Sequence, residues 1–304
     1  MSTPGAAAAL RSWLFVPGDS ERKQTKALAS AADALILDLE DSVDPAQRPA
    51  ARARIAALLA SATGAGPQLW VRVSAPGGET LAQDLAQTCV HALPAGIVLP
   101  KVSCAQEIIA AAERLAALGA ARGASAGRVR LLALVTETAA GLLALPQYPQ
   151  LLAASAVTRA HLAGLTWGAE DLSAALGAGG KRDRCGTLTF TFQLARVQCL
   201  LAAAALEVMA VDGVHTEFRD TAALQRELED ARRDGFGGKL AIHPGQVAPI
   251  NAAFTPTEAE REHARRVLAA FAAAGNCGVA SLDGQMIDRP HLLQAQRILA
   301  APKP

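Results

Sequence analysis

The sequence predicts an α/β protein folded as a (β/α)8 TIM barrel with a C-terminal helical extension beyond the eighth strand. Eight short apolar runs rich in β-forming residues recur along the chain, and helical segments lie between most of them without a Gly/Ser linker. The alternative is an open doubly wound sheet. No G-x-G-x-x-G follows the first strand, so the fingerprint of a dinucleotide site in such a sheet is missing.

The strands are predicted where short apolar, β-branched runs end in polar or turn-forming residues. These runs are 12–17, 34–39, 69–75, 96–102, 130–136, 161–167, 208–214 and 239–243. Ala, Leu, Arg and Glu at helical spacing predict helices between them, for example over 45–61, 103–118 and 219–234. Eight alternating units favour closure into a barrel.

Beyond the eighth strand the pattern becomes helical. Helices are predicted over 256–274 and 290–300, with a small hairpin around Asp283-Gly284 between them. We therefore expect a catalytic barrel domain, 1–250, and a helical extension, 251–304, that packs on its own barrel or completes the site of a neighbouring subunit.

Composition narrows the class of protein. The 304 residues are 51% hydrophobic and 19% charged, with a formal charge of +1, so a globular protein is expected and neither nucleic acid nor a membrane surface is a favoured partner. The chain shows no signal-peptide pattern at its start and no long uncharged apolar run, so a cytoplasmic protein is expected. Five cysteines without metal-ligand spacing are expected to be reduced packing residues. They are Cys89, Cys104, Cys185, Cys199 and Cys277.

Chemistry in a barrel gathers where the carboxyl ends of the strands meet. The residues predicted there are Pro17-Gly18, Glu40-Asp41, Arg72, Lys101, Glu137, Glu170-Asp171, Asp212 and His243. Any one of these charges can belong to a ring of ion pairs. Acids outnumber bases, however, and crowded carboxylates repel one another unless a cation or a proton relieves them. The pattern therefore favours a divalent metal ion.

Glu137 and Asp171 are the strongest candidates for metal ligands, because each ends a strand and adjoins a predicted helix start. Mg²⁺ suits two carboxylates, since it prefers oxygen and keeps several water ligands. Zinc prefers histidine or cysteine ligands, which are missing from these positions.

Motifs along the whole chain resemble one family, the citrate lyase β-subunit-like branch of the HpcH/HpaI aldolase family. They occur in family order from about residue 10 to 300. The motifs are Arg11-Ser-Trp-Leu-Phe-Val-Pro-Gly, Leu37-Asp-Leu-Glu-Asp-Ser-Val, Val71-Arg-Val, Gly96-Ile-Val-Leu-Pro-Lys-Val, Thr136-Glu-Thr, Gly168-Ala-Glu-Asp-Leu, Phe218-Arg-Asp, Lys239-Leu-Ala-Ile-His-Pro-Gly-Gln-Val and Gly284-Gln-Met-Ile-Asp.

The resemblance implies a Mg²⁺-dependent carbon–carbon lyase, with Mn²⁺ as a substitute metal, that acts on malyl-, citramalyl- or citryl-CoA. Glu137 and Asp171 match the family's metal ligands, and Glu137 also lies where substrate binds. Arg72 matches the arginine that holds substrate oxygens. Asp288 matches the acid/base supplied by an adjacent subunit, which implies a homotrimer or hexamer with shared active sites. From the sequence alone, Asp288 before Pro290 is also a good helix N-cap.

The resemblance also places a set of residues near substrate or CoA. They are Phe15, Arg22, Lys26, Ile242 and His243. Relatives can carry tyrosine at the Phe15 position, so a hydroxyl contact there is absent. Arg22 and Lys26 also fit a solvated basic helix face, and a lone His243 is often structural.

The neighbouring acids of the second strand have more than one interpretation. Glu40 and Asp41 are expected to orient metal-bound water or Arg72, although Asp41 or Asp44 also suits a helix cap. Asp38 is expected to face a helix instead of the barrel mouth.

Three other functions remain open. The same site can hydrolyse the CoA thioester, or the chain can be the β subunit of a citrate lyase complex that acts on an acyl-carrier thioester. A barrel kept only for binding is disfavoured because the main catalytic positions are all present. The loops expected to sense the substrate, 74–80 and 177–188, follow no rule that identifies the oxo acid.

Overall fold

Eight parallel strands form a closed barrel in the computed structural model, which describes residues 10–275 and 278–301. Each strand pairs with the next along the chain, and β8 pairs with β1. The strands are β1 (Ser12–Pro17), β2 (Ala34–Asp38), β3 (Gln68–Arg72), β4 (Gly96–Leu99), β5 (Arg130–Leu134), β6 (Leu162–Thr166), β7 (Met209–Asp212) and β8 (Gly238–Ala241). The predicted barrel is confirmed.

Helices between and after these strands form the outer layer. They are α1 (Glu21–Leu28), α2 (Arg48–Ser61), α3 (Glu79–Thr88), α4 (Ala105–Ala120), α5 (Ala139–Ala144), α6 (Tyr148–Ala154), α7 (Ala156–His161), α8 (Ala169–Leu176), α9 (Phe190–Ala205), α10 (Thr221–Asp234) and α11 (Val247–Ala253). A short 3₁₀ turn at Pro45–Gln47 precedes α2, so this helix begins later than the pattern predicts. The predicted domain division at residue 250 falls inside α11 and stays a prediction.

The barrel interior is filled by alternate residues of the strands. The buried members of this inner cluster are Trp13, Ala34, Ile36, Trp70, Val98, Leu132, Leu134, Val211 and Leu240. The rings of Trp13 and Trp70 pack edge to face with centroids 4.8 Å apart. Because side chains alternate along a strand, Asp38 and Arg72 lie on the inward side, two residues beyond Ile36 and Trp70.

The C-terminal extension has a small core of its own. It consists of α12 (Glu258–Ala273), β9 (Val279–Leu282), β10 (Gln285–Asp288) and α13 (Arg289–Ala300). β9 and β10 are antiparallel, and the turn residues Asp283 and Gly284 have φ angles of +54° and +76°. Two consecutive positive φ values are typical of a type I′ hairpin turn, so the hairpin prediction is confirmed.

Two smaller expectations concern membranes and cysteines. No helix among residues 10–275 and 278–301 is long and apolar enough to cross a membrane. Cys89, Cys104, Cys185 and Cys199 are free thiols, and Cys89 and Cys199 are buried as packing residues. Cys277 lies outside the described residues.

Candidate active site at the barrel mouth

The carboxyl ends of the strands surround a cavity of about 690 Å³. It brings together most of the residues that the sequence singled out: Phe15, Arg22, Lys26, Asp41, Arg72, Glu137, Asp171, Ile242 and His243. Residues without a predicted role also line it, among them Lys23, Trp167, Val214 and Leu240. The inward register of Leu240 on its strand was a usable signal. Lys23 lies in a segment without a strand pattern, and Val214 lies at the end of the predicted strand 208–214 but beyond the observed β7.

Glu137 follows β5 and is only 4% exposed. The backbone N–H of Lys101 donates a hydrogen bond of 2.6 Å to its Oε2. A Cβ at Gly168 would lie 2.7 Å from Glu137 Cγ, so a glycine is needed where the turn before α8 crosses this carboxylate. Asp171 lies in the first turn of α8. The two strongest metal-ligand candidates therefore lie at one wall of one cavity.

The environment of Glu137 favours a cation at this site. Burial raises the pKa of Glu137 to about 8, the Lys101 N–H opposes the rise, and the nearby Asp171 charge adds to it. A divalent ion bound between the two carboxylates would offset both the burial and the mutual repulsion that raise the pKa of Glu137.

The donor set fits a metal that needs few protein ligands. Within the described ranges, no group of three or more His, Cys, Asp and Glu residues is arranged to hold a metal ion. Two carboxylates with the remaining positions filled by water or substrate oxygen fit Mg²⁺. They do not fit a structural zinc site.

Arg72 is held rigidly at the end of β3. Its Nε and Nη2 donate to Asp38 Oδ1 and Oδ2 at 2.6 and 2.7 Å. Its Cζ lies 4.9 Å from the centroid of the Phe15 ring. Asp38 therefore uses two of the five guanidinium N–H donors and leaves the others to face different acceptors.

The expectation that Asp38 faces a helix is wrong. Asp38 lines the cavity and is 1% exposed. It is the last residue of β2 and continues the inward register of Ala34 and Ile36. Burial favours the neutral acid, but hydrogen bonds and charge from Arg72 outweigh it, so the pKa of Asp38 lies below its ordinary value.

Lys101 connects the other acids at the mouth. Its Nζ donates to Glu40 and, at 2.8 Å, to Asp41 Oδ1. It also lies 3.7 Å from Asp171 Oδ1. Glu40 forms an ion pair with Arg72 Nη1 at 3.0 Å. The expected orientation of Arg72 by Glu40 is therefore compatible with the geometry, and Lys101 contacts both proposed metal ligands.

Asp212 does not point into the mouth, contrary to the expectation for the seventh strand. Val211 faces the barrel interior, so Asp212, the next residue, faces the helices. Its carboxylate accepts hydrogen bonds from Trp167 Nε1 at 2.7 Å, Arg196 Nε at 3.0 Å and Lys239 Nζ at 2.8 Å. Burial opposes ionisation, but the charges of Lys239 and Arg196 lower the pKa of Asp212 to about 2.

The rim of the cavity carries the predicted CoA contacts. Arg22 and Lys26 are exposed and lie one turn apart on α1. His243 stacks on Phe218 with ring centroids 5.0 Å apart, and its Nδ1 accepts from Gly245 N at 3.1 Å. The N–H groups of Ile242 and His243 both donate to Gln246 Oε1. Neither of these two backbone donors is therefore available for a ligand.

Asp288 is not among the described residues that line this cavity. It occupies the N-cap of α13 and contacts His291 Nδ1 through Oδ1 at 2.7 Å. The capping interpretation of Asp288 is therefore correct as local structure. A contact of Asp288 with substrate at the mouth of another copy stays a prediction.

Comparison with known proteins agrees with the geometry. The chain is 36% identical over 292 residues to a (3S)-malyl-CoA thioesterase of Cereibacter sphaeroides, covering 95% of this chain and 93% of the relative. It is 32% identical over 294 residues to the mitochondrial citramalyl-CoA lyase of Rattus norvegicus, covering 95% and 85%.

A solved structure resembles the whole fold. It is CitE of Mycobacterium tuberculosis in complex with magnesium, acetoacetate and coenzyme A, with a TM-score of 0.73 and 33% identity, covering 96% of this chain and 97% of that chain. Residues 11–244 match the HpcH/HpaI aldolase/citrate lyase family model. The chain belongs to the HpcH/HpaI aldolase/citrate lyase family.

Proposed function

We propose that this protein is a Mg²⁺-dependent carbon–carbon lyase that cleaves 3-hydroxyacyl-CoA thioesters such as malyl-, citramalyl- or citryl-CoA. One observation carries the proposal: Glu137, Asp171 and Arg72 line the same cavity. Two carboxylates able to hold a metal beside an immobilised guanidinium suit a reaction that develops negative charge on oxygen. Similarity to a citramalyl-CoA lyase and to magnesium-bound CitE supports it.

The reaction breaks the bond between C2 and C3 of the acyl chain. The C3 hydroxyl loses its proton and becomes the carbonyl of a 2-oxo acid, while the bonding electron pair moves onto the thioester as an enolate. The enolate carbon then gains a proton and gives the acyl-CoA. The site must therefore let the C3 hydroxyl proton pass to a base or to solvent, stabilise an oxyanion and supply one proton to carbon.

Glu137 and Asp171 are the residues that would hold the metal. When bound there, Mg²⁺, or Mn²⁺ in its place, acts as a Lewis acid toward the oxygens of the oxo-acid portion. The chain itself restrains Glu137 through the Lys101 N–H. This contact limits rotation of the carboxylate before substrate binds.

Arg72 is assigned to the developing oxyanion. Asp38 and Phe15 fix its guanidinium before substrate arrives. Its remaining N–H groups can then donate to oxygen without further rotation, and a planar guanidinium does this better than a lysine ammonium. Glu40 and Asp41 position Arg72 and Lys101 through ion pairs.

Asp288 is assigned to proton transfer at the enolate carbon. The side chain of Asp288 is 42% exposed and belongs to the extension, away from its own mouth cavity. The assignment therefore requires that Asp288 of one copy reach the mouth of a neighbour, as in a closed trimer or hexamer.

The CoA portion is assigned to one side of the mouth. Arg22 and Lys26 on α1 are exposed cations without an ion pair among the described residues, which suits contact with CoA phosphates. Phe15, Ile242 and His243 offer apolar and aromatic surface beside them.

Hydrolysis of the thioester is the second candidate. It is favoured by the 36% identity to a malyl-CoA thioesterase. In that reaction water attacks the thioester carbonyl, so free CoA and the intact hydroxy acid are released.

One assay separates these reactions. Purified protein with Mg²⁺ is given a panel of malyl-, citramalyl- and citryl-CoA together with the corresponding acyl-carrier thioesters, and both 2-oxo acid and free thiol are followed. Oxo acid without free thiol is expected. Free thiol with intact hydroxy acid would assign the hydrolase, and activity only on acyl-carrier thioesters would assign the citrate lyase subunit. No product from any thioester contradicts the proposal.

A second assay tests shared sites. Asp288→Asn and Glu137→Gln chains, each inactive alone, are mixed and reassembled. Recovery of part of the activity is expected because one mouth in the mixed oligomer has all its residues. No recovery in verified mixed oligomers would place Asp288 in its own chain's site.

A further inference from the structure

The carboxyl group of Asp288 has a partner that the proposed reaction does not yet use. His291 Nδ1 lies 2.7 Å from Asp288 Oδ1, and both side chains are half exposed, 52% for His291 and 42% for Asp288. The same Nδ1 lies 3.2 Å from the backbone N–H of Asp288. His291 therefore faces both an acceptor and a donor of the same residue.

A single ring nitrogen cannot serve both contacts at once. With a proton on Nδ1, the imidazole donates to the Asp288 carboxylate. Without that proton, Nδ1 accepts from the Asp288 N–H or from a protonated Asp288 carboxyl group. The 2.7 Å contact therefore gives a path for a proton between the two side chains.

We propose that His291 is the positioning residue of Asp288: it orients the carboxyl group and exchanges with it the proton used at the enolate carbon. This inference rests on the proposed function. The exposed ring gives Asp288 a route to solvent through Nε2 when the carboxyl itself is covered by a neighbour's mouth.

The proton balance is simple in the cleavage direction. The O–H bond of Asp288 breaks as the C–H bond of the acyl-CoA forms, which leaves a carboxylate. The Nδ1–H bond of His291 then breaks as the O–H bond of Asp288 forms again. As that bond breaks, Nε2 takes a proton from solvent, so the ring stays neutral, and exchange with water returns the ring to its Nδ1–H form. Each turnover thus takes one proton from solvent at this end of the site, balanced by the proton that the C3 hydroxyl releases.

Surrounding charges do not replace this contact. Arg266 of α12 forms an ion pair with Asp283, which lies in the turn between β9 and β10. Arg289 beside Asp288, and His263 on α12, are exposed. Among the described residues, His291 is the one side chain hydrogen-bonded to Asp288.

A structural explanation competes with this role, because His291 also completes a capping box at the start of α13. Glutamine at the third helical position forms the same box. His291→Gln therefore keeps the cap and removes the titrating ring, whereas His291→Ala removes both. Asp288→Asn serves as the reference for loss of the acid.

The test compares these variants with the wild-type oligomer by melting temperature, kcat, KM and the pH profile of kcat for acyl-CoA formation. His291→Gln is expected to melt like the wild type and to lose about 10-fold in kcat with KM unchanged and an altered pH profile. His291→Ala is expected to show the same kinetic loss and a lower melting temperature.

A His291→Gln protein with wild-type kcat and pH profile would overturn the inference and leave His291 as a cap. Full activity of Asp288→Asn would overturn it together with the role of Asp288, while the lyase proposal stands. A wild-type protein without lyase activity contradicts the proposed function itself.

Discussion

Two clusters of charge lie on the strands of the barrel and differ in the balance of acids and bases. At the mouth, five acids face two bases: Asp38, Glu40, Asp41, Glu137 and Asp171 against Arg72 and Lys101. Behind β7 and β8, three acids face three bases: Asp212, Glu227 and Asp234 against Arg182, Arg196 and Lys239.

The comparison distinguishes charges that stabilise the fold from charges that belong to the proposed active site. The rear cluster is neutral as a set and has a buried centre, since Asp212 and Lys239 are each only 2% exposed. Arg182 and Asp234 form its partly exposed edge. The mouth cluster has three more acids than bases, and Asp38, Asp41, Glu137 and Asp171 of this set line the cavity. The charge-balanced rear cluster needs no additional ion, whereas the acid-rich mouth cluster favours binding of a cation from solution.

The largest expected effect follows from removing a metal ligand at the mouth. Glu137→Gln or Asp171→Asn should lower kcat/KM by about 10⁴-fold, since a bound dication contributes several kcal/mol of charge stabilisation. Mn²⁺ binding, followed by electron paramagnetic resonance, should be lost as well. Asp230→Asn, which changes an exposed acid paired with Arg233, is the matched control. Unchanged Mn²⁺ affinity in both ligand variants would place the metal elsewhere.

In the rear cluster the expected effect is on folding instead of catalysis. Lys239→Met leaves Asp212 and Glu227 without their shared cation and should lower the free energy of unfolding by about 3–5 kcal/mol. Chemical denaturation measures this loss. Arg233→Met, at an exposed ion pair, should cost less than about 1 kcal/mol. A rear variant as stable as the wild type would contradict the structural role of this cluster.

A smaller effect is expected from loosening Arg72. Asp38→Asn removes the charged half of its bidentate contact and should lower kcat by about 10- to 100-fold, the usual cost of losing an orienting partner. Arg52→Lys, at the buried Arg52–Asp84 pair outside the cavity, is the control and should change stability more than kcat. Equal kinetics for Asp38→Asn and wild type would mean that Arg72 is held adequately by Phe15 and Glu40.

The smallest effect concerns pH. The folded-state pKa of Glu137, about 8, lies above that of an unfolded glutamate. Its contribution to the stability of the metal-free protein is therefore complete below about pH 4 and is lost as pH rises through 8. Affinity for Mn²⁺ should rise over the same range, because the metal requires the ionised carboxylate.

Thermal melts of metal-free protein between pH 5 and 9 check this sign. The decrease in melting temperature that Glu137 causes between pH 5 and 9 should be absent from Glu137→Gln. Saturating Mg²⁺ should make this decrease smaller in the wild type. A wild-type melting temperature that rises across the same range, relative to Glu137→Gln, would show that Glu137 is already ionised at low pH.

Much of the fold was predictable because strand and helix periodicities are local. The capped start of α12 and the Asp283-Gly284 turn depend on neighbouring residues, and both were found from the sequence. Asp38 and Asp212 were assigned to the wrong sides of the sheet. Side chains alternate along a strand, so an error of one residue in the position of a strand reverses the side to which its last side chain points.

Glu137 and Asp171 were singled out because each follows a predicted strand, and they line one cavity. Their electrostatics could not be predicted from the sequence. The raised pKa of Glu137 depends on burial under Gly168 and on the distance to Asp171, which only the closed barrel defines. The contact of Lys101 with both ligands likewise depends on strands that are far apart in sequence.

The separate core of the C-terminal extension has a consequence for heat inactivation. Its buried residues, Ala264, Val267, Phe271, Ala280, Ile287 and Ala295, form a cluster distinct from both barrel clusters. Small units of this kind can open before the rest of a protein. If Asp288 completes a neighbour's site, warming should abolish turnover while the barrel amides still resist hydrogen exchange, so the working temperature of the enzyme would be limited by its smallest core.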